Sequence, residues 1–200
     1  MTAMRNLCLL LALSFLASCG QPKGRIKEGD EGDLVGSRSA GAATYNRLIA
    51  DATRRLLDAA AAKQSGRGDD ILKIAFVGIE NRGSEELGDI REATNQEIET
   101  VIFQAKRFDM IAQRYVAHAL KTTGMQAEDL SLKNGREDFV SILRDEGQTP
   151  DFLMWAIYTT LSTSGEKERQ RDYLLTLELL DVASGRIVDK QTARVRKAYR

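Results

Sequence analysis

The spacing of apolar residues divides the chain from Thr44 onward into a helix-rich part and a strand-rich part. In the first part, apolar residues recur every three or four positions over four segments, which is typical of amphipathic helices. Two short runs rich in β-branched and aromatic residues interrupt them and predict strands. The predicted helices are 44–63, 90–106, 113–123 and 136–146, the predicted strands are 71–79 and 108–111, and residues 125–135 have no regular period.

From residue 152 onward the period changes to two. Side chains alternate in character over 152–162, 173–180 and 187–197, and turn-forming residues separate these segments. Three strands joined by tight turns form an antiparallel meander. The predicted fold class is therefore α/β in the α+β sense: a mixed, partly antiparallel sheet with a C-terminal three-strand meander, packed with about four helices.

Residues 1–18 have the layout of a bacterial secretion signal. One basic residue, Arg5, precedes a mainly apolar run from Leu7 to Leu16, which is shorter than the roughly 20 residues that a membrane-spanning helix needs. The run ends in Leu16-Ala17-Ser18-Cys19, which resembles the lipobox of bacterial lipoproteins. That resemblance implies cleavage before Cys19 and acylation of this cysteine by a diacylglycerol and a further chain such as palmitate. Several acyl chains give a firm membrane anchor.

The residue after Cys19 is Gly20 rather than the aspartate that commonly retains lipoproteins in the inner membrane. The resemblance therefore implies an outer-membrane anchor with the domain facing the periplasm. Residues 19–43 are rich in Gly, Ser and charge and are predicted to form a flexible tether. This tether would reach roughly 80 Å when extended and average nearer to roughly 27 Å as a relaxed coil. Residues 44–200 are then long enough for one domain.

Composition excludes several classes of function. The formal net charge is zero, so no strong field indicates a nucleic-acid partner. The two cysteines are Cys8, inside the predicted signal, and Cys19, which leaves the domain without a disulfide or a thiol nucleophile. The chain has no serine-nucleophile elbow and no phosphate-binding loop, and its single histidine, His118, is interpreted as a helix-surface residue rather than a metal ligand. We expect no catalytic residue, metal, cofactor or small-molecule substrate.

Several stretches of the domain resemble the LpoB family, the outer-membrane lipoprotein activators of bifunctional penicillin-binding proteins, and more loosely the CsgG and TolB N-terminal families. Asn81 after the first strand and Ser184-Gly185 before the last are family marks that we interpret as turns. Ala156 stands where the family often has glycine. The matching stretches are IAFVGIENR at 74–82, IETVIFQAKRFDMIAQ at 98–113, LKTTGMQAEDL at 120–130, TPDFLMWAIY at 149–158 and YLLTLELLDVASGRIV at 173–188.

The resemblance implies a non-enzymatic regulator of peptidoglycan synthesis. In such proteins the lipidated domain docks on a bifunctional penicillin-binding protein and raises its glycosyltransferase and transpeptidase activities. The alternative is a secretion or pore-associated lipoprotein like CsgG, whose subunits oligomerise and contribute strands to a membrane barrel. A barrel requires additional strands of about 9 to 11 residues. This chain uses its predicted strands for its own sheet, which favours the regulator.

Candidate partner-binding residues are Trp155, Tyr158, Arg169 and Arg171, near the predicted 163–171 loop and the exposed side of the strand at 152–162. Trp and Tyr are enriched at interface hot spots. Strand alternation places Trp155 and Tyr158 on opposite faces, so we expect at most one of them to be free for a partner. Four basic residues lie near the C-terminus: Arg194, Arg196, Lys197 and Arg200. We interpret them as charges that keep an edge strand from pairing with another chain. Contact with an acidic partner or with lipid headgroups is the alternative.

Overall fold

The computed structural model describes residues 42–63, 70–84, 86–88, 90–164 and 169–199. We number the helices and strands in chain order and call the single 3-10 helix in this part of the chain η1. The elements are α1 (Ala42–Lys63), β1 (Leu72–Asn81), α2 (Ile90–Gln104), β2 (Phe108–Met110), α3 (Gln113–Thr123), η1 (Ala127–Ser131), α4 (Lys133–Asp145), β3 (Phe152–Ser164), β4 (Arg169–Asp181) and β5 (Ile187–Tyr199).

The strands form one sheet in the order β2-β1-β3-β4-β5. Strand β1 is parallel to both of its neighbours, whereas β3, β4 and β5 are successively antiparallel. The predicted fold class is confirmed: the sheet is mixed, its last three strands form a meander, and helices α1 to α4 pack against it.

Each face of the sheet has its own hydrophobic core. Helices α1 and α2 cover one face and form the first core, and α3, η1 and α4 cover part of the other face and form the second core. Strand β1 is buried from both sides, because Ile74 and Phe76 belong to the first core and Ala75 and Val77 to the second. This double burial explains why its sequence is a nearly continuous apolar run rather than an alternation.

A bulge in β1 changes which side chains face each core. The register against β3 shifts between Phe76 and Gly78, and Gly78 has a φ of 150°, which L side chains rarely adopt. Phe76 and Ile79 therefore both lie in the first core although regular alternation would separate them. The bulge also leaves Glu80 on the side of the sheet that faces away from α1, next to the groove described below.

The prediction that residues 125–135 are irregular is wrong. They contain η1 and the beginning of α4, which starts at Lys133 rather than at Arg136. The N-terminal end of η1 is closed by a reciprocal hydrogen-bond pair in which the Gln126 backbone N–H donates to Asp129 Oδ2 over 2.9 Å. Gly135 does not stop the helix. A Cβ added there would lie 2.5 Å from the Asp129 carbonyl oxygen, so glycine permits the close approach of η1 to α4.

The strands of the meander are longer than the sequence indicated. Strand β3 continues to Ser164 and β4 begins at Arg169, so most of the predicted 163–171 loop is strand, and residues 165–168 lie outside the described part. The bounds of α3 are as predicted. It ends before Gly124, whose φ of 67° places the helix cap in the left-handed region.

The two turns marked by the family motifs have distinct physical origins. The Gly83 backbone N–H donates to Asn81 Oδ1 over 2.9 Å, which confirms an Asx-type turn after β1. Gly185 has a φ of 68°, and a Cβ there would meet the guanidinium of buried Arg136 from α4. The glycine thus satisfies both the turn conformation and the packing of Arg136.

Candidate docking surface

The meander has one covered face and one partly open face. Tyr158, Leu175 and Ala193 point into the first core beneath α1. On the opposite face, the second core reaches β3 at Leu153 and Trp155. Beyond these two residues, neighbouring side chains of β3, β4 and β5 on this face are half-buried or exposed. We call this set the open face; it consists of Ile157, Thr159, Leu161, Leu174, Thr176, Glu178, Thr192 and Arg194.

A bidentate ion pair joins β4 to β5 beside the open face. Arg196 Nε lies 2.9 Å from Asp172 Oδ1, and its Nη2 lies 3.4 Å from Oδ2. Hydrogen bonding from this guanidinium lowers the pKa of Asp172 below its ordinary value, and the positive charges of Arg196 and Arg194 act in the same direction. The carboxylate therefore stays ionised to a lower pH than an ordinary aspartate, and the ion pair links the two strands.

Further polar contacts lie along the same pair of strands. The Oγ1 atoms of Thr176 and Thr192 are 2.9 Å apart, and Lys190 Nζ lies 2.6 Å from Glu178 Oε1. Cross-strand pairs of this kind contribute modestly to sheet stability. They also surround the apolar residues of the open face with hydroxyl and charged groups. Such a mixture of apolar and polar groups is typical of protein interfaces rather than of cores.

A groove of about 310 Å³ lies where the sheet meets η1. Trp155, Ile157 and Leu180 form its apolar part, while Ala127 and Glu128 of η1 line the opposite side. Charged side chains from three strands surround it, arranged as the pairs Arg82–Glu80 and Lys190–Glu178. The arrangement suits an apolar side chain of a partner surrounded by polar groups, because hot spots are apolar pockets with a water-excluding polar rim.

Trp155 is fixed in this groove by its own hydrogen bond. Its indole Nε1 donates to the Ala127 carbonyl oxygen over 3.0 Å, which satisfies the indole donor and one carbonyl of η1. The ring is half-buried and packs against the second core. An aromatic side chain held in one orientation loses little entropy on binding, which favours its use as an anchor.

Comparison of the sequence with known protein families gives no match, and comparison with curated proteins gives none either. Among solved structures, the C-terminal domain of LpoB from Salmonella enterica matches with 15% identity and a TM-score of 0.45, covering 76% of this chain and 97% of that one. The corresponding E. coli domain matches with 17% identity and a TM-score of 0.45 over the same shares, 76% and 97%. A lipoprotein from Neisseria meningitidis matches with 14% identity and a TM-score of 0.45, covering 64% of this chain and 83% of that one. The chain is similar in structure to LpoB domains.

The structure separates the two predicted aromatic contacts. Trp155 borders the groove, whereas Tyr158 is 1% exposed and lies in the first core beside Leu48 and Leu175. The expectation that the two rings point to opposite faces is confirmed. Tyr158 is therefore a core residue in this structure, because the pleat of β3 directs every second side chain toward α1. We do not assign it to the docking surface.

The remaining candidates lie at the end of the meander or outside the described residues. Arg171 is half-buried, and its Nε donates to Ser162 Oγ over 3.2 Å on the neighbouring strand. Arg169 begins β4, where its backbone is paired with Ser164. Cys19 and the predicted signal and tether precede the described residues. Arg171 and the backbone of Arg169 lie at the opposite end of the β3–β4 pair from Trp155.

Two further observations describe the chemistry of the domain. His118 is exposed on α3, with its Nε2 3.8 Å from Glu146 Oε1. In the part of the chain from Ala42 onward that the structure describes, no three His, Cys, Asp or Glu side chains converge as metal ligands. Among the described helices, none is both long and apolar enough to cross a bilayer.

Sequence reasoning missed the contributions of β4 and β5 to the open face. The alternation of Leu174, Thr176 and Glu178 with buried neighbours was visible, but it does not tell which face is covered by helices. That depends on where α3 and α4 pack, and they lie against β1 and the beginning of β3. The groove additionally needs η1, which has no periodic signal in the sequence.

Proposed function

We propose that this chain is a lipid-anchored periplasmic regulator that binds and activates a bifunctional penicillin-binding protein in peptidoglycan synthesis. The proposal is supported by the lipobox ending at Cys19 and by the motifs that resemble the LpoB family. The structural observation that carries it is the open face with its groove at Trp155. A fixed aromatic and apolar neighbours within a polar rim are suited to a protein partner.

The regulator acts by contact rather than by chemistry. Docking of the domain shifts the synthase toward its active conformation when the open face binds that conformation more tightly than the idle one. A tenfold preference corresponds to about 1.4 kcal/mol of coupling, which is within the usual range for regulation between sites. Small losses of contact area on the open face are therefore expected to reduce activation measurably.

The anchor at Cys19 would hold the domain at the inner leaflet of the outer membrane, and residues 19–43 would set its distance from that membrane. A chain of this length reaches roughly 80 Å when extended but averages roughly 27 Å when relaxed. Engaging a synthase in the inner membrane therefore requires that most of the tether is stretched, or that an accessory domain of the synthase approaches the outer membrane.

The first test is capture of partners by the lipidated protein from its native envelope after crosslinking. The expected result is recovery of a bifunctional penicillin-binding protein and faster glycan polymerisation when the purified protein is added. Recovery of rings of this chain, or of secretion components without a synthase, would contradict the proposal and favour the CsgG-like alternative.

A matched pair of variants tests the location of the docking surface. Ile157→Asp places a charge in the groove, whereas Leu132→Asp places the same charge at a residue that is 67% exposed between η1 and α4. Ile157→Asp is expected to reduce synthase capture at least tenfold, since burying an unpaired charge at an interface is costly. Equal capture by both variants, with folding verified by circular dichroism, would remove the groove from the interface.

A further inference from the structure

A second recess, of about 750 Å³, lies at the carboxyl end of β1, and we call it the cleft. It is lined by residues 77–81 of β1, by Arg91 of α2, by Leu120 and Lys121 of α3, and by residues 124–128, which lead into η1. Its volume is within the range of sites that bind ligands in proteins.

The cleft lies where the sheet changes the side on which its connections run. The chain leaves β1 through α2, which packs in the first core, and leaves β2 through α3, which packs in the second core. The carboxyl ends of these two parallel strands therefore border a crevice between α2 and α3. Open α/β sheets bind their ligands at such a switch point.

Beyond Ile74, the side of β1 that faces β2 has no neighbouring strand among the described residues. Strand β2 pairs only with residues 72–74. The Gln113 side-chain amide donates to the Phe76 carbonyl oxygen over 3.0 Å and so replaces one further step of the ladder. Strand β1 nevertheless continues to Asn81. Its last part is therefore an edge, although β1 is a central strand of the sheet.

The backbone of Ile79 faces the cleft. The Arg82 N–H donates to the Tyr158 carbonyl oxygen over 2.8 Å, which directs the backbone groups of residues 80 and 82 toward β3. Backbone groups alternate in direction along a strand, so the N–H and C=O of Ile79 point to the opposite edge. Ile79 also lines the cleft. One backbone donor and one acceptor are thus presented to a segment that lies alongside β1.

The described residues of the loop that follows β1 lie away from this edge. The Ser84 N–H donates to Thr160 Oγ1 of β3 over 3.0 Å, on the other side of β1. Leu87 packs in the first core beside Thr94 of α2. These contacts direct the loop toward β3 and then across the first face of the sheet.

We propose that the cleft binds an extended segment of the synthase, which adds to β1 as a strand beyond the end of β2. The identity of this partner rests on the proposed function. Side chains of both charges line the cleft, namely Glu80, Arg91, Lys121 and Glu128, so charge alone does not select the ligand. Strand addition takes its affinity from backbone hydrogen bonds and its specificity from the pockets that alternate side chains enter.

The cleft adjoins the groove at Trp155. Residues 78–80 of β1 and residues 127–128 of η1 line both recesses. A synthase that places a strand in the cleft and an apolar side chain in the groove would contact η1 from two sides. The cleft therefore extends the proposed docking surface onto the edge of β1.

The test selects binders from a random peptide library on the mature chain from residue 19 with Cys19→Ser. The peptides have about ten residues, which at about 3.3 Å per residue is more than enough to span the edge. We expect selected peptides to slow hydrogen exchange of the Ile79 amide. N-methylation of the peptide residues that donate to β1 is expected to weaken binding about tenfold, and N-methylation of the alternate residues to have little effect.

A matched pair of variants locates the binding. Lys121→Trp places a large ring at the wall of the cleft, whereas Lys133→Trp places it at an exposed position on α4. Only the first is expected to weaken peptide binding, about tenfold. Equal binding by both variants would overturn the proposal, as would peptides that slow exchange only at residues 155–157. A uniform effect of N-methylation along the peptide would exclude strand addition.

Competition separates failure of this inference from failure of the proposed function. A peptide that binds the cleft is expected to prevent capture of the synthase by the native protein. If the synthase is captured equally well with the peptide present, the cleft is not its docking site and the regulator proposal stands. If peptides add to β1 but no synthase is captured, the regulator proposal and the assignment of the segment to a synthase both fail. A chain that dimerises with the cleft already protected would assign this edge to a second copy and overturn the proposal.

Discussion

The indole Nε1 of Trp155 on β3 donates a 3.0 Å hydrogen bond to the carbonyl oxygen of Ala127 in η1. This contact joins two elements that are 28 residues apart in sequence. It fixes the ring at the edge of the groove and at the same time joins η1 to the sheet. The stability of η1 and the shape of the groove therefore depend on the same donor.

Trp155→Phe tests this dependence. Phenylalanine retains most of the apolar surface but removes the indole N–H that donates to the Ala127 carbonyl oxygen, which is expected to cost about 1 kcal/mol of the free energy of unfolding. Urea unfolding followed by circular dichroism measures this cost. Hydrogen exchange at residues 127–131 is expected to accelerate by a similar factor, because η1 opens locally. A variant with unchanged exchange in η1 would show that the hydrogen bond does not hold this helix.

The same substitution separates stability from docking. A loss of about 1 kcal/mol leaves nearly all of the protein folded, so the lower stability alone would not reduce capture of the synthase. A clear fall in capture would therefore show that Trp155 contacts the partner. If capture is unchanged while unfolding becomes easier, Trp155 supports the groove from within and contacts no partner. Ile157→Val removes a single methylene at the neighbouring position and serves as the conservative comparison, with an expected effect below about 1.5 kcal/mol.

Gly185→Ala is expected to destabilise the protein more than Gly147→Ala. Both glycines have positive φ, 68° and 73°, so both substitutions incur backbone strain of about 1 kcal/mol or more. A Cβ at Gly147 meets nothing within 4 Å, whereas one at Gly185 would collide with the guanidinium of Arg136. The difference in the free energy of unfolding between the two variants reports the Arg136 contact. Equal values would mean that the arginine moves aside without cost.

Helices and strands whose apolar residues recur at a regular spacing could be predicted from the sequence. Elements that depend on tertiary contacts could not. The bounds of α3 agree with prediction because its apolar face is regular and a glycine in the left-handed region ends it. The beginning of α4 was predicted at residue 136, three residues after its actual start at Lys133. In the structure, Gly135 is inside the helix, where its missing Cβ makes room for the Asp129 carbonyl.

The candidate site was predictable to a smaller extent. Alternation alone separated Trp155 from Tyr158, and the structure confirms that separation. It did not indicate which of the two would be buried, because both faces of a central strand can be covered. The outcome depends on the packing of α1 over Tyr158 and on the limited extent of the face that α3 and α4 cover, which are long-range features without a local sequence signal.

Gly135→Ala tests the contact that the sequence did not reveal. In an ordinary exposed helix, glycine to alanine stabilises by up to about 1 kcal/mol. Here the added Cβ would lie 2.5 Å from the Asp129 carbonyl oxygen, so η1 and α4 must separate. The expected result is a net destabilisation, measured by thermal or urea unfolding. A stabilised variant would contradict the close packing of η1 on α4.

The ion pair between Asp172 and Arg196 is expected to give the domain a specific response to acid. The Arg196 hydrogen bond lowers the pKa of Asp172 in the folded state below its unfolded value of about 3.9. The unfolded chain therefore takes up this proton at a higher pH than the folded chain does. The stabilisation is present in full above the unfolded pKa and is lost as the pH falls through the folded pKa.

Asp172→Asn removes this dependence. The variant is expected to be less stable than the unchanged protein at neutral pH, and the two curves of unfolding free energy are expected to converge as the pH falls below about 4. Urea midpoints measured from neutral to strongly acidic pH report the convergence. Asp109→Asn provides the control, because that residue is exposed on β2 at the opposite edge of the sheet. If the gap between the Asp172 variant and the unchanged protein stayed constant across the range, the carboxylate would not derive its stabilising effect from ionisation beside Arg196.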